Sequence, residues 1–283
     1  MTLFTVDVSE NQAGLTVHEV KRAGYAGLMA RCSIGSRADS EYSRFRAEAR
    51  AEALPFAPYH FLKSHSHTPL DRQAQALSDA IGDRSLRVML DVESDHDSLP
   101  SWDDVEGFYV HLVGEGLKLG SLYLPHWYWL EIGQPAIHWP LVASTYGPTP
   151  QPVNRPYPGD DEWPAAYGGV GPFLWQFKSR GRLPAGYKYQ GDLDVNAYRG
   201  TPLPGSVFKH WVPPITAQEE EDMKNYLVRD ASPEADGGWV IAADLSTKVK
   251  VSEDAYQALR SAGLYLPNPG LDQTTLGHIP DAS

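Results

Sequence analysis

The sequence predicts an α/β, TIM-like barrel of eight strands followed by a small α+β C-terminal module, on three observations. Over the first 125 residues short β-type runs alternate with amphipathic helical patterns, which is the signature of βα units around a parallel sheet. From about residue 140 strand-like runs continue, but long loops rich in Pro, Gly and aromatics separate them in place of helices. Past residue 205 the pattern shifts again, to short strands of antiparallel type. Five βα units and three further strands make eight, enough to close a barrel. The expected division is residues 1–205 for the barrel and 206–283 for the module.

The elements follow in order. "LFTVDVS" (3–9) reads as the first strand and "TVHEVKRAG" (16–24) as a helix; "AGLMARCS" (26–33) is the second strand. The segment 40–54 places Tyr42, Phe45, Ala49 and Ala53 on one helical face, and "PFAPYHFL" (55–62) is the third strand. A helix then opens with Thr68 as N-cap, Pro69 at the first position and Asp71 at the third, and Gly82 closes it. The fourth strand is "RVMLDVES", whose apolar run ends on Asp91 and Glu93. Ser101 caps a helix with Asp103 and Asp104 in its first turn, and "LKLGSLYLP" (117–125) is the fifth strand. The last three barrel strands are "PLVASTY" (140–146), "PFLWQFK" (172–178) and "DLDVNAY" (192–198). In the module, "KNYLVRDASPEADGGWVIAADLSTKVKVS" reads as two or three antiparallel strands, and Ser252 caps a short helix ending at Gly263.

Composition narrows the function. A net charge of −12 with no basic run speaks against nucleic acid as partner. No window of about 18 apolar residues exists, so membrane insertion is not expected. The start "MTLFTVDVSE" lacks a basic n-region, a long apolar segment and a cleavage site, so the expected location is the cytoplasm of the cell that makes the protein. The single Cys32 excludes an intramolecular disulfide and a cysteine zinc motif, and reads as a buried structural thiol.

The chemistry is expected at the C-terminal ends of the barrel strands, where the βα loops meet. Residues i and i+2 of a strand share a face about 6.6 Å apart. At an effective dielectric near 20, Asp91 and Glu93 then repel by about 2.8 kcal/mol, roughly two pKa units. Asp7 ends the first strand and Asp194 lies on the last, so barrel closure brings them together across the mouth from that pair. Four carboxylates around one opening hold at least one member protonated, which suits general acid catalysis. Flat side chains gather at the same rim: Tyr59 and Phe61, "HWYW" with Tyr128, Tyr146, and "WQF" with Trp175 and Gln176. Acids with aromatics point to a glycan groove. His60 and His65 read as hydrogen-bonded structural histidines.

The ordered set "DVSENQ" (7–12), "YHF" (59–61), "DVE" (91–93), "ASTY" (143–146), "LWQF" (174–177) and "DVNAY" (194–198) resembles the glycoside hydrolase family 25 muramidases, the lysozymes of bacteria and bacteriophages. The resemblance spans about residues 3–200 and implies a (β/α)5β3 barrel. It also implies cleavage, with retention, of the β-1,4 bond between N-acetylmuramic acid and N-acetylglucosamine in bacterial peptidoglycan, without cofactor or metal. Position by position, Glu93 matches the general acid/base. Asp91 matches its acidic partner, which acts on an oxazolinium-like intermediate or as nucleophile. Asp7 and Asp194 match two flanking aspartates that bind sugar and tune the pair. Asp192 competes with Asp194, but Asn196 stands two residues after Asp194, as the family has it. Tyr59, Phe61, Tyr128, Tyr146, Trp175 and Gln176 are the expected substrate contacts. Trp139 lies farther from Ala143 than the family's tryptophan usually does.

The missing signal segment suits a phage endolysin, which waits in the host cytoplasm and then acts on the wall. For residues 206–283 the functional readings are wall binding or self-association. The rivals are a metal-dependent hydrolase, since clustered carboxylates also bind Mg²⁺ or Ca²⁺, an inactive wall-binding barrel, and a chitinase-like barrel, whose acid motif would need a carboxylate where Met89 stands.

Overall fold

The computed structural model describes residues 2–95, 98–144 and 156–199, together with four strands in the C-terminal part. Eight strands close a barrel: β1 (Thr2–Val8), β2 (Leu28–Ile34), β4 (Phe56–Phe61), β5 (Arg87–Asp91), β6 (Lys118–Tyr123), β7 (Leu141–Ser144), β8 (Pro172–Gly181) and β9 (Leu193–Arg199). A two-residue strand, β3 (Arg37–Ala38), folds back on β2. Pairing is parallel from β1 through β8, and β9 closes the ring antiparallel to both β8 and β1.

Helices α1 (Val17–Arg22), α2 (Tyr42–Ala51), α3 (Leu70–Ile81), α4 (Trp102–Gly114) and α5 (His126–Glu131) cover the half of the barrel built from β1 to β6. Their starts are chemically specified. Thr16 with Glu19 and Ser101 with Asp104 form capping boxes that satisfy otherwise orphaned N–H groups. Helix α3 departs from expectation: Pro69 occupies the cap position and Thr68 makes no side-chain cap bond, while Gly82 ends the helix at φ 69°. Helix α5 is a larger departure, because "HWYW", which the sequence places at the rim, is the body of a short helix entered through Pro125.

Around β7 to β9 no long helix is present among the described residues, and aromatics take over the outer layer. Tyr157 and Trp163 pack on Trp175 at centroid distances of 6.0 and 5.7 Å, and Phe4 and Phe177 extend the group. The strand period of two therefore sorts side chains into two cores. Val6, Val8, Ala30, Phe56, Val88, Leu90, Trp175 and Phe177 face outward to helices and loops. Met29, Ala57, Tyr59, Met89, Tyr123, Val142, Leu174 and Tyr198 fill the barrel itself.

In the C-terminal part, β10 (Asn225–Arg229), β11 (Gly238–Ile241) and β12 (Lys248–Val251) pair antiparallel, and β13 (Tyr265–Leu266) lies parallel to β10. The helix expected after Ser252 lies outside the described residues.

Candidate active site

Four carboxylates meet at the C-terminal end of the barrel. Asp7 and Asp194 are direct partners in the β1/β9 register, so their side chains share one face at adjacent positions. Asp91 ends β5 opposite Phe61 of β4 and Tyr123 of β6, and Glu93 follows one buried residue, Val92, later. Asp91 is the least exposed of the four, at 8%, and its Oδ1 has no hydrogen-bond partner among the described residues.

Burial sets the electrostatics first and mutual repulsion second. The Glu93 carboxyl is raised to about 7, by desolvation and then by the charges of Asp7 and Asp95. Asp91 is raised well above the usual carboxylate range by desolvation, then by Glu93 and Asp7; Arg31 opposes the rise. Asp194 is raised for the same reasons, with Asp7 and Glu93 its main charged neighbours. The repulsion expected between Asp91 and Glu93 is present, but it falls chiefly on Asp91. Desolvation, rather than the neighbouring strand residue, is what mainly keeps Glu93 protonated near neutral pH.

Asp7 is held differently from the other three. Its Oδ2 accepts from Asn196 Nδ2 at 2.8 Å and from Gln176 Nε2 at 3.2 Å, and the Tyr123 hydroxyl donates to Gln176 Oε1 at 2.7 Å. These bonds lower a carboxyl that burial raises.

Arg31 stands out as a functional candidate absent from the sequence expectations. It projects from β2 in register with Tyr59, only 9% exposed. Its Nε donates to Asp39 Oδ2 at 2.9 Å and its Nη2 to Glu10 Oε1 at 3.1 Å. The Asp39 side chain is fully buried and also accepts from the Glu10 and Glu41 backbone amides. The signal was a single arginine inside the apolar run "LMARCS".

The expected groove residues divide. Tyr59 faces the acids, and burial and their charges push its hydroxyl well above the usual range, so it is a neutral donor. Phe61 sits at the mouth beneath the Lys63 ammonium, 5.3 Å from the ring centroid, and Lys63 also pairs with Asp95. Gln176 faces inward, but both ends of its amide are bound within the barrel. Two expectations need correction. Trp175 is 1% exposed on the outward face, because a strand that turns Gln176 inward must turn its neighbours outward. Tyr128 is 2% exposed on α5, and its hydroxyl donates to the Pro100 carbonyl at 2.7 Å, so it braces a loop. Tyr146 lies outside the described residues.

Asp192, the competitor of Asp194, is a surface residue paired with Arg180 and Arg182. His60 is fully buried between Ser33 and Gln73 and stacked on Phe108 at 4.6 Å, and burial holds it neutral down to about pH 3. His65 pairs with Asp104 at the α4 cap. Among the described residues no group of three His, Cys, Asp or Glu is arranged to hold a metal ion.

No protein-family model and no curated protein matches the sequence. Solved structures do. The lysozyme from Streptomyces coelicolor superimposes with a TM-score of 0.57 at 20% identity, covering 70% of this chain and 93% of that one. The catalytic domain of endolysin ply40 from Listeria monocytogenes bacteriophage P40 gives 0.54 at 20%, covering 71% and 94%. A family 25 glycosyl hydrolase from Bacillus anthracis gives 0.53 at 17%, covering 70% and 89%. The closed α/β barrel described above is thus the fold of these lysozymes and endolysins.

Proposed function

We propose that the protein is a peptidoglycan hydrolase of the glycoside hydrolase family 25 type, with the (β/α)5β3 architecture of that family. It cleaves the β-1,4 bond between N-acetylmuramic acid and N-acetylglucosamine and serves as a phage endolysin. The observation that carries this reading is the ring of partly buried acids at the C-terminal mouth of the barrel, with Glu93 raised to about 7 beside a buried Asp91. Such a pair titrates as a unit and carries one proton and one charge near neutrality. Glycosidic cleavage needs that proton on Glu93, to protonate the leaving oxygen. It needs the charge on Asp91, to stabilise positive charge at the sugar or to attack it. Arg31 favours this division, because it is the cation that opposes the rise at Asp91. Tyr59 and Phe61 line the mouth as donor and apolar face for sugar.

The likeness to lysozymes and endolysins supports peptidoglycan as the partner and the bacterial wall as the place of action. Residues 206–283 are assigned to wall binding or self-association. The test is mass spectrometry of products from purified peptidoglycan. A muramidase leaves reducing N-acetylmuramic acid ends, whereas reducing N-acetylglucosamine ends, or intact glycan strands, overturn the assignment. Addition of chelator separates the metal-dependent alternative, since the proposed chemistry proceeds unchanged in its presence.

A further inference from the structure

Gln176 and Asn196 raise a question that sugar binding does not answer. Gln176 is 7% exposed and Asn196 is fully buried, yet both aim an amide N–H at the same oxygen, Asp7 Oδ2. The Tyr123 hydroxyl donates to Gln176 Oε1, which fixes the amide with its NH₂ toward Asp7. Both N–H donors stabilise the charged form of Asp7, against the burial that disfavours it. We propose that Tyr123, Gln176 and Asn196 are positioning residues, a relay that favours the charged form of Asp7 within the acid ring and so helps Glu93 retain its proton.

The surroundings are consistent with that division. Asp7 faces Asp194 across the β1/β9 pair, Asp91 and Glu93 from β5 and its loop, and the Tyr59 hydroxyl from β4. The cation on this side is Arg31 of β2, already engaged by Asp39 and Glu10. Asp95 adds a second negative charge near Glu93, partly offset by Lys63. Among the described residues Asp7 is the one aspartate of the ring with two amide donors, so its charged form is supported by bonds that Asp194 lacks, while Arg31 supports the charge on Asp91. The anion on Asp7 then disfavours a second anion on Glu93, which is how three side chains act through Asp7 on the reacting proton.

This inference deepens the proposed hydrolase reading, but one arm of its test is independent of it. Carboxyl ¹³C titration of the full chain reads the Glu93 midpoint whether or not the protein cleaves glycan. Asn196→Leu and Gln176→Met each remove a donor at near-constant volume. Both are expected to lower the Glu93 midpoint by about 0.5–1 pH unit, with Tyr123→Phe giving a smaller shift of the same sign. The sign follows because a neutral Asp7 no longer opposes ionisation of Glu93. The alkaline limb of the lysis profile moves down with the midpoint. Adding Asn196→Leu to Asp7→Asn produces no further shift, since the relay acts through Asp7. An unmoved Glu93 midpoint in Asn196→Leu while Asp7→Asn moves it, or additive shifts in the double variant, overturns the relay. If the larger substitutions prevent folding, Tyr123→Phe, which removes one hydroxyl, decides alone. Midpoint shifts without any wall cleavage sustain the relay and sink the hydrolase reading.

Discussion

The floor and the mouth of the barrel are built by the same strands and the same inward-facing parity, yet they do opposite things. Two residues along β2, β5 and β8 turn Met29, Met89 and Leu174 into Arg31, Asp91 and Gln176, and two along β1 turn Thr5 into Asp7. The floor removes apolar surface from water and stabilises the fold at about 25 cal/mol per Å². The mouth does the reverse, forcing carboxyls into a site where ionisation is unfavourable. The difference teaches that rigidity at one end permits electrostatic strain at the other. The acids stay buried and close because the strands that carry them are pinned two residues below.

The comparison is broken most sharply by removing a mouth residue without disturbing the floor. Glu93→Gln keeps the shape and removes the titrating proton, and it should lower wall lysis by at least about 100-fold with circular dichroism unchanged. Lysis near wild type would end the assignment of Glu93. The converse change, Leu174→Ala at a floor site 1% exposed, opens a cavity. It should cost about 2–5 kcal/mol in denaturant unfolding while leaving the pH profile of residual activity in place. A shifted profile would mean that floor and mouth are not separable.

Stability against pH sharpens the same contrast. Glu93 titrates at about 7 in the folded protein against an ordinary 4.5, so the folded state holds the proton more tightly than the unfolded chain. Its burial is therefore tolerated below about pH 4.5 and becomes destabilising as pH rises toward 7, with Asp91 and Asp194 acting in the same direction. Unfolding free energy should fall across that window. In Glu93→Gln the slope should flatten, leaving the variant more stable than wild type at pH 7 by on the order of 2 kcal/mol. A variant less stable than wild type at pH 7 would show that Glu93 is held by compensating bonds rather than strained.

Much of this contrast was legible in the chain, because strands announce themselves by period. The eight barrel strands, the caps at Ser101 and Gly82, and the meeting of Asp7 with Asp194 follow from alternation and closure. The parity rule also contained the correction at Trp175, since "WQF" cannot put three consecutive residues on one face. What the chain could not reveal depends on contacts far apart in sequence. Arg31 gains its meaning from Asp39 and Glu10, and Gln176 from Asp7, 169 positions away. Helix α5 hides for another reason: "HWYWLE" is aromatic on every side, so no amphipathic period marks it.

The smallest expected effect tests the assignment of the mouth itself. Asp192 and Asp194 are two residues apart and would share a face in an ideal strand, yet β9 begins only at Leu193. Asp192 therefore lies before the strand, where Arg180 at 3.5 Å and Arg182 at 3.4 Å hold it at the surface. Exposed pairs of this kind contribute about 0–1 kcal/mol and are screened by salt. Asp192→Asn should thus leave lysis within about twofold and stability within about 0.5 kcal/mol. Asp194→Asn removes a buried carboxyl facing Asp7 and Glu93, so it should move the pH profile. If the Asp192 variant moved the profile and the Asp194 variant did not, the ring would have to be redrawn with Asp192 as its fourth member.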